Sequence, residues 1–395
     1  MDRTPRRILP AIIFSQFTGT SLWFAGNAVL PDLQRLWELS ADALGYMTSS
    51  VQLGFIAGTL TFATLAISDI YSPRKIFLIC SLIGAFCNAG VYLFAEGLVS
   101  LMVFRFLTGF FLAGIYPVGM KVAAGWYQQD LGKAIGFLTG GLVLGIAFPH
   151  LLKALGQSLP WSSVLLSVSA IAALGGLLMY VLVPDGPYHT KNPKFDSGAL
   201  RMIFQSRNFR ASAFGYFGHM WELYTFWAFV PVMLATHMGT GTAVRLDIPF
   251  WAFLIIGVGS IGCAGGGLLT GKLGSARVAF VQLAISGICC MISPFLFSAP
   301  TPVFLLFLLV WGITVAGDSP QFSALNALNA PKALVGSALT IVNCIGFSIT
   351  IVSIQLLSYA SHFIDTRWLF LLLTIGPVAG LYAMRPLLRA QARGA

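Results

Sequence analysis

The chain has 395 residues, of which 57% are hydrophobic and only 9% charged. Soluble domains carry about 25% charged residues, so this composition cannot cover a water-facing surface, and disordered chains depart from it in the opposite direction. The 42 Gly and 19 Pro follow no fixed period, which excludes a collagen-like repeat. Long, continuously apolar runs stand where a membrane β-barrel would show short alternating segments. At about 20 apolar residues per crossing, the chain accommodates about twelve membrane helices. The expectation is an all-α integral membrane protein.

In chain order, the first run covers 8–30 and lacks a following A-x-A cleavage site, so it reads as a retained helix. Further runs cover 44–67, 76–95, 98–124, 134–155 and 162–183. A polar stretch from Pro184 to Asn208 interrupts the pattern. Six more runs follow at 210–235, 249–271, 278–297, 302–326, 335–359 and 367–385. This divides the chain into an N-terminal six-helix bundle (1–183), a cytoplasmic linker (184–209) and a C-terminal six-helix bundle (210–395). Pro31 and Pro231 are expected to close the first and seventh spans. Cys80, Cys87, Cys263, Cys289, Cys290 and Cys344 all fall in apolar runs without CxxC spacing, the pattern of small packed thiols.

An even number of spans puts both termini on one side. Of 23 Lys and Arg, only Arg35, Lys153, Arg245 and Arg367 fall on the opposite side and Arg105 inside a span, which leaves eighteen on the side of the termini. Cytoplasmic loops carry such an excess, so both termini are expected in the cytoplasm and the protein in the cell inner membrane. The net charge of +10 is thereby a topology signal and not a nucleic-acid surface.

The two halves resemble each other. Gly109-Phe-Phe-Leu-Ala-Gly-Ile-Tyr-Pro117 in span 4 matches Gly312-Ile-Thr-Val-Ala-Gly-Asp-Ser-Pro320 in span 10 at Gly, Ala, Gly and Pro, 203 residues apart. Ser68-Asp-Ile-Tyr-Ser-Pro-Arg74 after span 2 has its counterpart in Gly271-Lys-Leu-Gly-Ser-Ala-Arg277 after span 8. Duplicated six-helix halves are the logic of a secondary transporter, whose two bundles rock about a central site.

On these features the whole chain resembles the major facilitator superfamily. Asp69, Arg74 and Lys75 fit the charge pattern of that family's loop between helices 2 and 3, although Leu65, Ile70 and Pro73 replace two glycines and a basic residue. Arg105 with Gly109 is similar to the family's buried Arg-x-x-x-Gly. Gly140, Gly141, Gly145 and Pro149 only loosely match the Gly-Pro motif of drug antiporters. Gly218–Tyr224 and Asp318–Ser323 also resemble bacterial permeases of nitrate/nitrite type. Those carriers hold their anion with an Arg on the second span and another on the eighth, and neither span has one here.

Ionisable groups at bilayer depth are costly and mark function by default. Five fall within the spans: Arg105, His150, His219, Glu222 and Asp318. The resemblance implies that helices 1, 4, 7 and 10 line the cavity, and all but His150 lie on these. His219 and Glu222 are three apart on one helix face, and carboxylates in a low-dielectric cavity can load and release protons. Proton coupling is therefore expected through Glu222 and Asp318, with His219 as relay. The same three could alternatively hold a divalent metal. Arg105 would either anchor an anionic solute or tie helices together through carbonyls. His150, beside Pro149, reads as structural. Gln16, Trp23, Asn27, Tyr116, Trp221, Tyr224, Trp227 and Gln321 are candidate pocket residues. The resemblance implies a gating role for Asp69, Arg74, Lys75 and the matching Arg277, with Asp69 capping a helix of the second half.

No Gly-x-x-x-x-Gly-Lys-Ser/Thr sequence occurs, so an ion gradient must supply the energy. Scattered ionisable groups supply no catalytic constellation, and neither enzyme activity nor a cofactor is expected. The expected function is a secondary active transporter, acting as a monomer, that moves a small solute by alternating access with protons. A divalent-metal or drug efflux carrier is the alternative within transport. A non-transporting receptor or chaperone on the same fold is the alternative outside it.

Overall fold

The structure, a computed structural model, describes residues 5–127, 131–156, 158–188, 198–239 and 245–393. The described residues contain helices and no strands, and they form two compact units, Met1–Phe195 and Asp196–Ala395. Each unit contains six spans. Those of the first are Ile8–Leu36, Ala43–Thr64, Pro73–Phe94, Leu98–Trp126, Leu131–Leu155 and Trp161–Leu182. Those of the second are Arg207–Met238, Ile248–Leu273, Ser275–Leu296, Thr301–Asn329, Val335–Ala360 and Thr366–Arg389. Ten are apolar enough to be recognised as membrane-crossing from length and composition alone. The other two, spans 2 and 7, turn polar residues into their bundles: Thr48, Gln52 and Thr59 in span 2, and His219, Glu222 and Thr225 in span 7 are buried.

Several spans are interrupted. Span 1 runs as Ile8–Thr20 and Ala25–Leu36. Before the gap, the Thr18, Thr20 and Ser21 hydroxyls donate to the carbonyls of Ser15, Gln16 and Thr18 at 3.0, 2.8 and 2.6 Å. Hydroxyls that compete for main-chain carbonyls loosen a helix in this way. Spans 4 and 10 break at matching places, between Leu98–Leu112 and Tyr116–Trp126 and between Thr301–Gly317 and Ser319–Asn329. Pro117 and Pro320 stand in the first turn of the restarted helix, where proline's missing N–H costs nothing. The repeated block seen in the sequence is thus a repeated helix break.

The same block binds the spans in pairs. A Cβ on Gly109 would collide with the Val51 carbonyl of span 2, and one on Gly312 with the Ile255 carbonyl of span 8. Gly54 and Gly262 repeat this against Phe106 and Ile313. Backbones this close require glycine on the approaching face.

Three sequence expectations change. Pro31 and Pro231 lie inside their helices, which continue to Leu36 and Met238; a membrane helix tolerates one missing N–H when its neighbours satisfy the freed carbonyl. Span 7 starts at Arg207, because the Ser206 hydroxyl caps it by accepting the Phe209 N–H at 3.3 Å. Part of the central connection folds back on the first unit: Trp126 Nε1 donates to the Pro184 carbonyl at 2.9 Å and the Tyr188 N–H to that of Gly125 at 3.0 Å. Residues 189–197 of that connection, with Lys191 and Lys194, lie outside the described residues, as does Arg3.

Candidate functional site

In the first unit the break in span 1 leaves carbonyls for Arg105. This fully buried guanidinium donates from Nη2 to the Leu22 carbonyl at 2.9 Å and to that of Trp23, and from Nη1 to Asn88 Oδ1 of span 3 at 3.1 Å. Asn88 in turn donates to the Leu165 carbonyl and to Ser169 Oγ of span 6, both at 3.0 Å. Arg105 thus ties helices through its two terminal nitrogens, while its Nε has no partner among the described residues.

At one end of this unit Asp69 accepts from Lys121 Nζ at 2.5 Å, and Lys121 also reaches the Ser68 carbonyl at 2.7 Å. Asp69 sits in a one-turn helix, Ile67–Ile70, entered through Ala66 at φ 49°, a conformation L-residues adopt at a cost. Arg74 lies 3.7 Å from Asp185 and covers the Tyr180 ring. The gating residues described here thus engage span 4 and the end of span 6. Lys75 and Arg277 are exposed. At the other end, Asp32 pairs with Lys153 at 2.6 Å and with Arg35 at 2.7 Å.

The second unit brings His219 and Asp318 together. Both are buried, with His219 Nδ1 2.8 Å from Asp318 Oδ1, at ion-pair distance but off a straight hydrogen-bond line. His219 Nε2 shares a 2.8 Å hydrogen bond with Ser319 Oγ, and the ring is flanked by Tyr216 and Phe322. Asp318 Oδ2 has no hydrogen-bond partner among the described residues.

Glu222 has a different setting, which the sequence did not foresee. Its Oε1 accepts from Trp311 Nε1 at 2.5 Å and from the Cys290 thiol at 3.3 Å, and its Oε2 accepts from the Ser286 hydroxyl at 3.0 Å. Three donors from spans 9 and 10 therefore saturate a fully buried carboxylate. Glu222 thus has a hydrogen-bond set distinct from that of the His219–Asp318 pair. Among the described residues no three His, Cys, Asp or Glu are gathered to hold a metal, so the divalent-metal alternative has no geometric basis. Glu222 lies 200 residues after Leu22, and Cys290 lies 202 after Asn88. The two units thus carry buried ionisable groups, a guanidinium and a carboxyl, at equivalent junctions, each tying three spans. We expect Glu222→Leu to destabilise the protein by roughly 2 kcal/mol, since it strands the buried Trp311 and Cys290 donors at about 1 kcal/mol each while Ser286 keeps the Leu283 carbonyl. Glu222→Gln keeps an acceptor and should lose clearly less; equal losses for the two variants in chemical unfolding would refute the clamp.

The remaining candidates scatter. Gln16 is buried against Gly119, and Trp23 is buried on Phe55 with ring centroids 4.8 Å apart. Asn27 donates to Thr48 Oγ1 at 2.9 Å, and Tyr116 is half-buried. Tyr224 and Trp227 pack edge to face at 5.0 Å. Trp221 departs from the pocket expectation: its Nε1 donates to the Leu372 carbonyl at 3.0 Å and its ring sits against Gly376 of span 12. Gln321 is buried beside Gly266 of span 8. His150 is buried, with no partner for Nε2 among the described residues. His237 lies beyond the expected end of span 7 at 235 but inside its helix, and its ring nitrogens meet the Phe297 carbonyl at 2.9 Å and Thr301 Oγ1 at 3.1 Å. A recess of about 550 Å³ at the start of span 10, lined by Arg245, Trp251, Pro302 and Leu305 among others, contains none of the candidates.

Two six-helix units with matched helix breaks and ionisable groups buried in their spans define a multi-pass membrane carrier. The chain belongs to the Major Facilitator Superfamily, whose family model matches residues 12–354. The chain is similar to the uncharacterized transporter YgaY of Escherichia coli O157:H7, 26% identical over 223 residues that cover 54% of this chain and 55% of the relative. It thus spans about half the length of the curated relatives it matches. Among solved structures, the human organic anion transporter MFSD10 (TETRAN) superposes with a TM-score of 0.74 at 15% identity, covering 96% of this chain and 99% of that one. The proton:xylose symporter XylE superposes with a TM-score of 0.73 at 14% identity, covering 95% of each. At these identities the likeness is one of fold.

Proposed function

We propose that the protein is a proton-coupled secondary transporter that moves a small neutral or cationic solute across the cell inner membrane by alternating access. The observation that carries this reading is the buried His219–Asp318 pair, set at the helix break of span 10 with one carboxylate oxygen unpartnered. A buried carboxylate beside a histidine can take up a proton in one state and release it in another. Discontinuous helices are the usual place for such sites. The solved likeness to a proton:xylose symporter adds support at the level of fold. Arg105 spends its terminal nitrogens on carbonyls and Asn88, which supports a neutral or cationic solute over an anion. In this reading Glu222 braces spans 7, 9 and 10, both termini are cytoplasmic, a placement the Lys and Arg bias supports, and a monomer suffices.

The test is reconstitution in proteoliposomes with an imposed pH gradient, screening labelled sugars, amino acids, amines and sugar acids. Accumulation above equilibrium that collapses with a protonophore supports the reading. Counterflow without any response to the gradient refutes proton coupling, and absence of counterflow for every class refutes transport.

The Asp69–Lys121 pair carries the gating reading. Asp69→Asn weakens a partly exposed ion pair at the end of the first unit, away from the buried groups above. Its expected effect is a roughly fivefold slower turnover, the scale of such a pair, with solute affinity unchanged within twofold. Equal losses of affinity and rate, read from equilibrium binding and initial uptake, would instead put Asp69 in the binding site.

A further inference from the structure

Buried polar atoms in folded proteins nearly always have a partner, and those without one mark an ion or water site. The second unit gathers several such atoms between spans 8, 9 and 10. Gln321 is 1% exposed, yet neither its Nε2 nor its Oε1 has a partner among the described residues. Asp318, three residues earlier and on the same helix face, has Oδ2 unpartnered, and so is Oε1 of Gln282.

The two glutamine amides converge on a glycine cradle at Gly317, the residue before Asp318. The position a Cβ would take on Gly266 of span 8 lies 2.8 Å from the amide end of Gln321, 3.0 Å from that of Gln282 and 3.2 Å from the Gly317 carbonyl. The Gln282 amide also reaches into the space where a Cβ of Gly317 would stand. One turn back on span 8, the Cys263 thiol donates to the Ala316 carbonyl at 3.2 Å, which fixes span 8 against the residues leading to Asp318. Amide oxygen and nitrogen can exchange places by a flip, so either end can face the cradle.

We propose that this cradle binds an alkali-metal cation, held by the Asp318 carboxylate, the amide oxygens of Gln282 and Gln321 and the Gly317 carbonyl. An all-oxygen set with a single carboxylate suits a hard monovalent ion. A divalent ion would leave a buried excess charge, and a solute would need room that the glycines on both sides do not provide. The site shares Asp318 with the proton reading, but binding is measured on purified protein without transport, so either can fail alone.

The experiment follows thermal unfolding of the full chain in detergent, in sodium chloride and in potassium chloride, each against choline chloride at equal ionic strength. A saturable, cation-specific rise in melting temperature is expected for sodium or potassium. Gln321→Leu and Gln282→Leu should weaken the apparent affinity at least tenfold, and Asp318→Asn should remove the response. In choline chloride Gln321→Leu should be at least as stable as the parent, because it removes an unpartnered buried amide; an amide that only packs would make the variant less stable. If Asp318→Asn does not yield folded protein, the two glutamine variants decide. Equal responses to all three salts, as a water-filled cradle would give, overturn the proposal. So does a cation response that survives both glutamine substitutions within twofold. Loss of the response in the glutamine variants with proton-driven accumulation intact would separate the cation site from proton coupling.

Discussion

Asp318→Asn is expected to abolish accumulation of solute driven by a pH gradient while preserving exchange of labelled for unlabelled solute. The substitution keeps the side chain's size and leaves an acceptor for His219, which lies 2.8 Å from the carboxylate. What it removes is the ability to gain and lose a proton. Exchange needs no net proton movement, so the cycle of binding and reorientation should continue with the site fixed in one charge state. The fall in steady-state accumulation should be at least tenfold, because an uncoupled carrier only equilibrates its solute. His219→Gln should fall between the two, since it leaves the acid in place but takes away its neighbour. If Asp318→Asn still concentrates solute under a proton gradient, the coupling group lies elsewhere and the pair is a structural one.

Arg105→Leu is expected to cost at least about 3 kcal/mol of stability and much of the folded yield. The wild-type guanidinium satisfies two carbonyls at the gap in span 1 and Asn88 of span 3. Leucine fills part of the volume but leaves those acceptors buried without donors, at about 1–3 kcal/mol each. Arg105→Lys retains a charge but not the fork, so it should recover less than half of the loss. A Leu variant that unfolds at the same denaturant concentration as the parent would show that water or neighbouring groups satisfy the carbonyls instead. Solute affinity in whatever folds should be unchanged, which distinguishes a tie between helices from an anion anchor.

The span count and the repeated Gly–Ala–Gly–Pro block of spans 4 and 10 were legible in the sequence, but not that the block marks a helix break. Asp318 and His219 were legible as buried ionisable groups on spans 10 and 7, though not as a touching pair. The donor set of Glu222 was not legible, because its three donors come from positions 64 to 89 residues away and look like ordinary packing residues: Ser286, Cys290 and Trp311. The role of Arg105 depended on the gap at 21–24, which arises from hydroxyls bending back on span 1 and has no Pro or Gly to announce it. Pro31 and Pro231 misled in the opposite direction: proline is a reliable stop in water and a weak one inside a membrane bundle.

The close approach of Gly109 to Val51, and of Gly312 to Ile255, has a mechanical corollary. Two helices whose main chains touch through missing side chains have no lubricating layer, so neither can slide or rotate without driving a Cα into a carbonyl. Spans 2 and 4, and likewise 8 and 10, should behave as welded beams, stiff in shear and slow to exchange their amide protons where they meet. Displacement during a transport cycle would then be borne by softer places such as the gap at 21–24, and each welded pair would set the smallest part of its unit that can move.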